Sequence, residues 1–294
     1  MRLFVVTGML CCLALGSTGV KAEPAKQASP MPPGIGGGGP LEVSAQKSLE
    51  YHQNEHVYLA RGKAKAVRGD VTITAEDMAA YERTGANSKS EIYKLTAHQD
   101  VIIATTQQQI YGDEGIYDAD KRVAVLTGGN LRFVDANETV TARDSLEYWQ
   151  DKKQAIARGH AVALRDNRRV ESDRMVAQFR DQPNGSLELA QLTADGNVTI
   201  TTDTDVARGD KAVYDMSRNI AILSGKVRVT RGASQLNGTT AEVDFKTGIS
   251  RMTGTSETNR VQALFVPEAN KNGENPAGIP LIGAKHVPTQ ARQP

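Results

Sequence analysis

Between Leu41 and Val266 the chain is a succession of short segments in which apolar and polar residues exchange every second position. Val227 and Val229 flank Arg228, Val198 and Ile200 flank Thr199, and Leu131 and Phe133 flank Arg132. A period of 2 rather than 3.6 predicts strands. A complete unit runs from Gly209-Asp210-Lys211-Ala212-Val213-Tyr214 through the polar turn Asp215-Met216-Ser217-Arg218-Asn219. It continues as Ile220-Ala221-Ile222-Leu223-Ser224-Gly225-Lys226-Val227-Arg228-Val229. Strand, turn, strand is the signature of an antiparallel hairpin.

The unit repeats. Tyr51, Tyr81, Tyr117, Tyr148, Phe179, Tyr214 and Phe245 mark seven copies at intervals of roughly 30–36 residues. The longer intervals hold the turn-rich insertions Arg83-Thr84-Gly85-Ala86-Asn87-Ser88 and Arg180-Asp181-Gln182-Pro183-Asn184-Gly185. Glycine inside strands, as in Asp195-Gly196-Asn197-Val198, predicts bulges and curling. Two strands per unit gives about 14–16, too many for a flat twisted sheet. The expected fold is all-β: a single elongated antiparallel β-jelly roll or open sandwich built from about seven hairpin repeats.

Proline, which removes a strand donor, sets the boundaries. Of 11 prolines, only Pro183 falls between the Pro/Gly-rich stretch 23–40 and the polar tail 267–294. Both flanks read as disordered linkers around a domain spanning 41–266. Residues 1–22 read as a cleaved signal peptide, with Arg2, an apolar run from Leu3 to Leu15, and the small-x-small site Val20-Lys21-Ala22. The leader reads as secretory, so the mature chain is expected outside the cytoplasm. Cys11 and Cys12, the only cysteines, lie in that leader, so the mature chain has neither disulfides nor thiolate ligands.

With 35 basic against 34 acidic side chains the net charge is +1, which gives no global attraction to nucleic acid. Catalytic motifs are missing. His52, His56, His98, His160 and His286 are scattered outside any ligand pattern, so no metal and no cofactor are expected. Asp113 and Glu114, between Gly112 and Gly115, form a carboxylate pair, but the slot recurs as Gly209-Asp210 and Ser172-Asp173 and reads as a solvated strand start. Trp149 is expected to pack near a sheet edge. Arg165, Arg168 and Arg169 read either as a solvated turn around Asp166-Asn167 or as forked donors for phosphate groups.

The opening Leu41-Glu42-Val43-Ser44-Ala45, then Leu49-Glu50-Tyr51, Leu59-Ala60-Arg61-Gly62 and Asp70-Val71-Thr72-Ile73, resembles the first repeat of the OstA-like family of periplasmic lipopolysaccharide-transport proteins. Leu126-Thr127-Gly128, Ala194-Asp195-Gly196-Asn197-Val198 and Leu223-Ser224-Gly225-Lys226-Val227 match its later pieces. Two sites depart: Gly62-Lys63-Ala64 lacks the usual valine and His98-Gln99-Asp100-Val101 lacks the glycine. The resemblance implies a jelly roll whose apolar interior shelters the acyl chains of lipopolysaccharide (lipid A). It also implies head-to-tail homo-oligomers, and contact with an inner-membrane export complex and an outer-membrane translocon of the same pathway.

The inward candidates for lipid contact are Leu41, Val43, Leu59, Val71, Ile73, Val101, Ile103, Leu131 and Phe133. Core packing alone would place the same residue types there. An aromatic content of only 5% leaves few rings to plug a trough. Joining the first unit, Leu41 to Arg68, to the last, Ser234 to Val266, would pair unlike edges and allow open-ended assembly. The alternatives are a scaffold of the same fold with a filled core, an inner-membrane-linked adaptor, a parallel β-helix lyase and an outer-membrane barrel. The lyase lacks its catalytic clusters here and the barrel its aromatic girdles.

Overall fold

The computed structural model describes residues 41–84, 90–183, 186–254 and 260–266. The leader with Cys11 and Cys12, the stretch 23–40 and the tail 267–294 lie outside the described residues. Among the described residues, eighteen strands join in one sheet: β1 (Glu42–Ser44), β2 (Ser48–His52), β3 (Val57–Arg68), β4 (Val71–Thr84), β5 (Ser90–Ala104) and β6 (Gln109–Asp118), then β7 (Val123–Thr127), β8 (Arg132–Val134), β9 (Glu138–Thr141), β10 (Ser145–Trp149), β11 (Gln154–Arg165) and β12 (Arg168–Asp181), and finally β13 (Leu187–Thr201), β14 (Asp205–Asp215), β15 (Ile220–Arg231), β16 (Ser234–Asp244), β17 (Ile249–Thr253) and β18 (Gln262–Leu264).

The pairings sort these strands into fourteen rungs, or seven hairpins. Four rungs are broken in the middle: β1 with β2, β7 with β8, β9 with β10, and β17 with β18. Every rung therefore contributes to two half-sheets. One half of β3 pairs with β2 and the other with β1; β6 divides likewise between β7 and β8, and β16 between β17 and β18. At about 4.8 Å per rung the stack is roughly 60–65 Å long.

The fold turns where the two halves meet. Odd-numbered strands carry two consecutive residues in the left-handed region there: Gly62-Lys63, Gln99-Asp100, Gly159-His160, Gly196-Asn197 and Gly225-Lys226. The neighbouring rung places one residue against each of the first four pairs, namely Glu76, Asp113, Asp173 and Asp210. Each corner is thus a bulge with one extra residue, and it bends the strand. The acidic residues brace the corners: the Asp113 carboxylate accepts from the Gly129 amide at 2.5 Å, and Asp173 accepts from Asn197 Nδ2 at 2.8 Å. The Gly112-Asp113-Glu114-Gly115 slot is therefore in the middle of β6 rather than at a strand start, and Asp173 and Asp210 sit likewise inside β12 and β14.

The residue after each corner is among the most deeply buried in its rung. Ala64, Val101, Leu131, Ala161, Val198 and Val227 are at most 2% exposed. This explains the recurring Gly-x-Val: glycine permits the left-handed turn, and the turn drives the next side chain into the interior. Both departures in the sequence keep the geometry. Ala64 replaces valine without loss of the corner, and Gln99-Asp100 adopts φ of 60° and 52° without glycine.

Candidate functional site

Directly opposed residues share a face, so the registers trace which side chains line the space between the half-sheets. In the first half-sheet one row crosses all fourteen rungs: Leu49, Ala60, Met78, Ala97, Gly115, Leu126, Leu146, Ala157, Met175, Ala194, Ala212, Leu223, Ala241 and Met252. In the second the corresponding row is Val43, Ala66, Ile73, Ile103, Ile110, Phe133, Val140, Ala163, Val170, Ile200, Ala207, Val229, Leu236 and Ala263. No position in either row is polar. Members of both rows belong to a single buried cluster, so the two half-sheets face each other across one apolar interior.

That interior is open near the first rungs. A cavity of about 490 Å³ is walled by residues of both rows, with Leu41, Leu95, Val101 and Tyr117 beside them. Its size suits a small-molecule site. Tyr51 and Tyr58 stack at its edge with ring centroids 4.4 Å apart. Of the nine residues expected to face inward, Leu41, Val43, Leu59, Ile73, Val101 and Ile103 border the cavity. Leu59 does so from the position between Tyr58 and Ala60, where alternation turns it to the outer face. Val71 and Leu131 belong to the buried cluster, and Phe133 packs against it.

Toward the lips the inward face changes from apolar to charged. Asp205, nearly fully buried, accepts from Arg231 Nε and Nη2 at 2.6 and 2.7 Å. Glu138 lies opposite Arg165, which in turn opposes Arg168 across the turn at Asp166-Asn167. Burial raises the Glu138 pKa to about 7, the nearby Asp135 carboxylate adds to the rise, and Arg165 opposes it. Arg169 points to the other face and pairs with Glu171. Trp149 sits in β10, which β7 and β11 flank on both sides, so it is away from either sheet edge; its indole donates to Glu147 at 2.9 Å and Lys152 lies over its ring.

A second polar group occupies the mouth of the cavity. The Tyr117 hydroxyl lies 3.5 Å from Gln150 Oε1, and desolvation raises its pKa against the opposing charges of Arg122 and Arg68. Arg68, Arg122 and Gln150 were absent from the sequence expectations. Each is a single polar residue at a strand end or turn, and only the register brings them together.

The chain also contains a duplication. Ser48-Leu49-Glu50-Tyr51 recurs as Ser145-Leu146-Glu147-Tyr148, Ala60-Arg61-Gly62 as Ala157-Arg158-Gly159, and Tyr117 as Tyr214, all at one constant offset. The pairings repeat with the sequence, since β2 with β3 corresponds to β10 with β11.

The structure is thus an all-β trough with an uninterrupted apolar lining. The model of the LptA/(LptD N-terminal domain) LPS transport protein family matches residues 42–144 and again 139–249, and the chain belongs to that family. The two matches fall on the two copies of the duplication. Among solved structures, the chain is similar at 13% identity to LptH, described as the LptA homologous periplasmic component of the conserved lipopolysaccharide transport device from Pseudomonas aeruginosa. That alignment covers 78% of this chain and 96% of the other, with a TM-score of 0.19. No curated protein matches the chain.

Proposed function

We propose that the protein is a periplasmic carrier or bridge for lipopolysaccharide, sheltering the acyl chains of lipid A between the half-sheets on the way from inner to outer membrane. The carrying observation is the pair of unbroken apolar rows. Each methylene withdrawn from water contributes about 0.8 kcal/mol, so a twelve-carbon chain seated along the rows gains on the order of 10 kcal/mol. The open cavity favours this reading over a scaffold with a filled core. No group transfer is involved, and the protein is read as a non-enzyme without cofactor.

The edges support head-to-tail assembly. At one end β1 and β2 expose Val43, Leu49 and Tyr51; at the other β17 and β18 expose Ile249 and Leu264, with Leu49 59% and Leu264 61% accessible. Apposing these unlike edges continues both rows into the next subunit without closing a ring. The same edges would receive the inner-membrane export complex and the outer-membrane translocon. Delipidated protein should bind lipid A saturably in a fluorescence-displacement titration; absence of saturable binding rejects the carrier role.

A further inference from the structure

Beside its open edge, the apolar cavity adjoins a more polar one. It shares Leu41, Ile92, Leu95 and Tyr117 with a second cavity of about 320 Å³ that also contacts Arg68, Arg122 and Gln150. Arg68 ends β3 at the lip of the second half-sheet, whereas Arg122 precedes β7 at the lip of the first. Two guanidinium groups therefore approach the mouth from opposite sides, and both act on the Tyr117 hydroxyl. No acidic residue lines this second cavity among the described residues. Arg122 meets Asp151 at 3.0 Å, but both side chains are more than half exposed, so water screens the pair.

The geometry points to an anion-binding mouth, in which Arg68 and Arg122 hold the phosphate of an amphiphile whose acyl chain lies in the apolar cavity behind Tyr117. This rests on the carrier reading and adds to it a preferred head group and a fixed orientation. The planar fork of guanidinium suits phosphate oxygens, and two such groups converging beside a desolvated hydroxyl select an anion over a neutral head. The duplicated copy differs at this point. It has Arg165 and Tyr214 at the equivalent positions, but Asn219 replaces Arg122, and the Tyr214 hydroxyl donates to Asn219. The paired arginines thus belong to the first copy, where the cavity is.

The test titrates the full chain by calorimetry with monododecyl phosphate, dodecyl maltoside and inorganic phosphate, each below any micelle concentration. Wild type is compared with Arg122→Gln, Arg68→Gln and the double variant, and circular-dichroism melts verify folding. Monododecyl phosphate should bind about tenfold tighter than the maltoside. Arg122→Gln, on an exposed turn, should lose several-fold of that preference and the double variant all of it, with maltoside binding unchanged. Inorganic phosphate should bind at least about a hundredfold more weakly than monododecyl phosphate, because it lacks the chain. Equal affinity for the two amphiphiles, a preference retained in Arg122→Gln, or equally tight inorganic phosphate would overturn the head-group site and leave the carrier reading standing. Failure of every amphiphile to bind would overturn both.

Discussion

The corners give a prediction of opposite sign at two equivalent positions. Gln99 in the first copy and Gly196 in the second open the same left-handed pair, with φ of 60° and 77°. A residue with a Cβ costs about 1–2 kcal/mol in that region. Glycine returns part of this, roughly 0.5–1 kcal/mol, through the larger entropy of its unfolded chain. Gln99→Gly should therefore stabilise the protein by about 0.5–1 kcal/mol. Gly196→Ala incurs the same backbone cost, and its new Cβ would overlap the Asp173 carboxylate that holds Asn197. The expected loss is about 2 kcal/mol or more. Urea unfolding at constant slope and thermal melts would read the changes, with about 2–4 °C per kcal/mol for a domain of this size. A lower midpoint for Gln99→Gly, or an unchanged one for Gly196→Ala, would refute the claim that the trough is bent by left-handed corners.

Two further substitutions probe the charged lip. Asp205→Ala removes the bidentate partner of Arg231 at a site where the carboxylate is nearly inaccessible, and should cost about 3 kcal/mol in urea unfolding. Glu138 has a folded pKa near 7, above its ordinary value, so the stability associated with its protonated form is complete below about pH 4.5 and is lost as pH rises through 7. Glu138→Gln should consequently raise the unfolding midpoint more at pH 8 than at pH 5; a gain independent of pH would contradict the assignment.

Much of this architecture was legible in the alternation and the recurring glycines. Tyr51, Tyr117, Tyr148 and Tyr214 occupy one inward row beside the traced one, as a regular period requires. Tyr81 and Phe179 do not, because Ala80 and Ala177 hold that row's positions on β4 and β12. The rows themselves were hidden for a related reason. On β4, β6, β12 and β14 the inward positions change parity at two consecutive outward residues, Glu76-Asp77, Asp113-Glu114, Asp173-Arg174 and Asp210-Lys211, which breaks any period-2 reading at mid-strand. Leu59, expected inward, illustrates the same ambiguity of face, since alternation along β3 turns it outward between Tyr58 and Ala60. Alanines such as Ala97 and Ala157 complete the rows but carry too little hydrophobic signal to announce them. The mouth was illegible, since Arg68 and Arg122 meet only when the half-sheets close on Tyr117.

The most direct test of the trough is residue-specific photocrosslinking in lipopolysaccharide-producing cells, using the alternation of single strands as the control. Probes at Ile73, Ile103 and Phe133 face the interior, and probes at Thr74, Ile102 and Arg132 occupy adjacent outward positions. Sheltered acyl chains predict lipopolysaccharide adducts at the first three and none at the second three. Adducts at both sets alike, or at neither, would contradict a lipid path between the half-sheets.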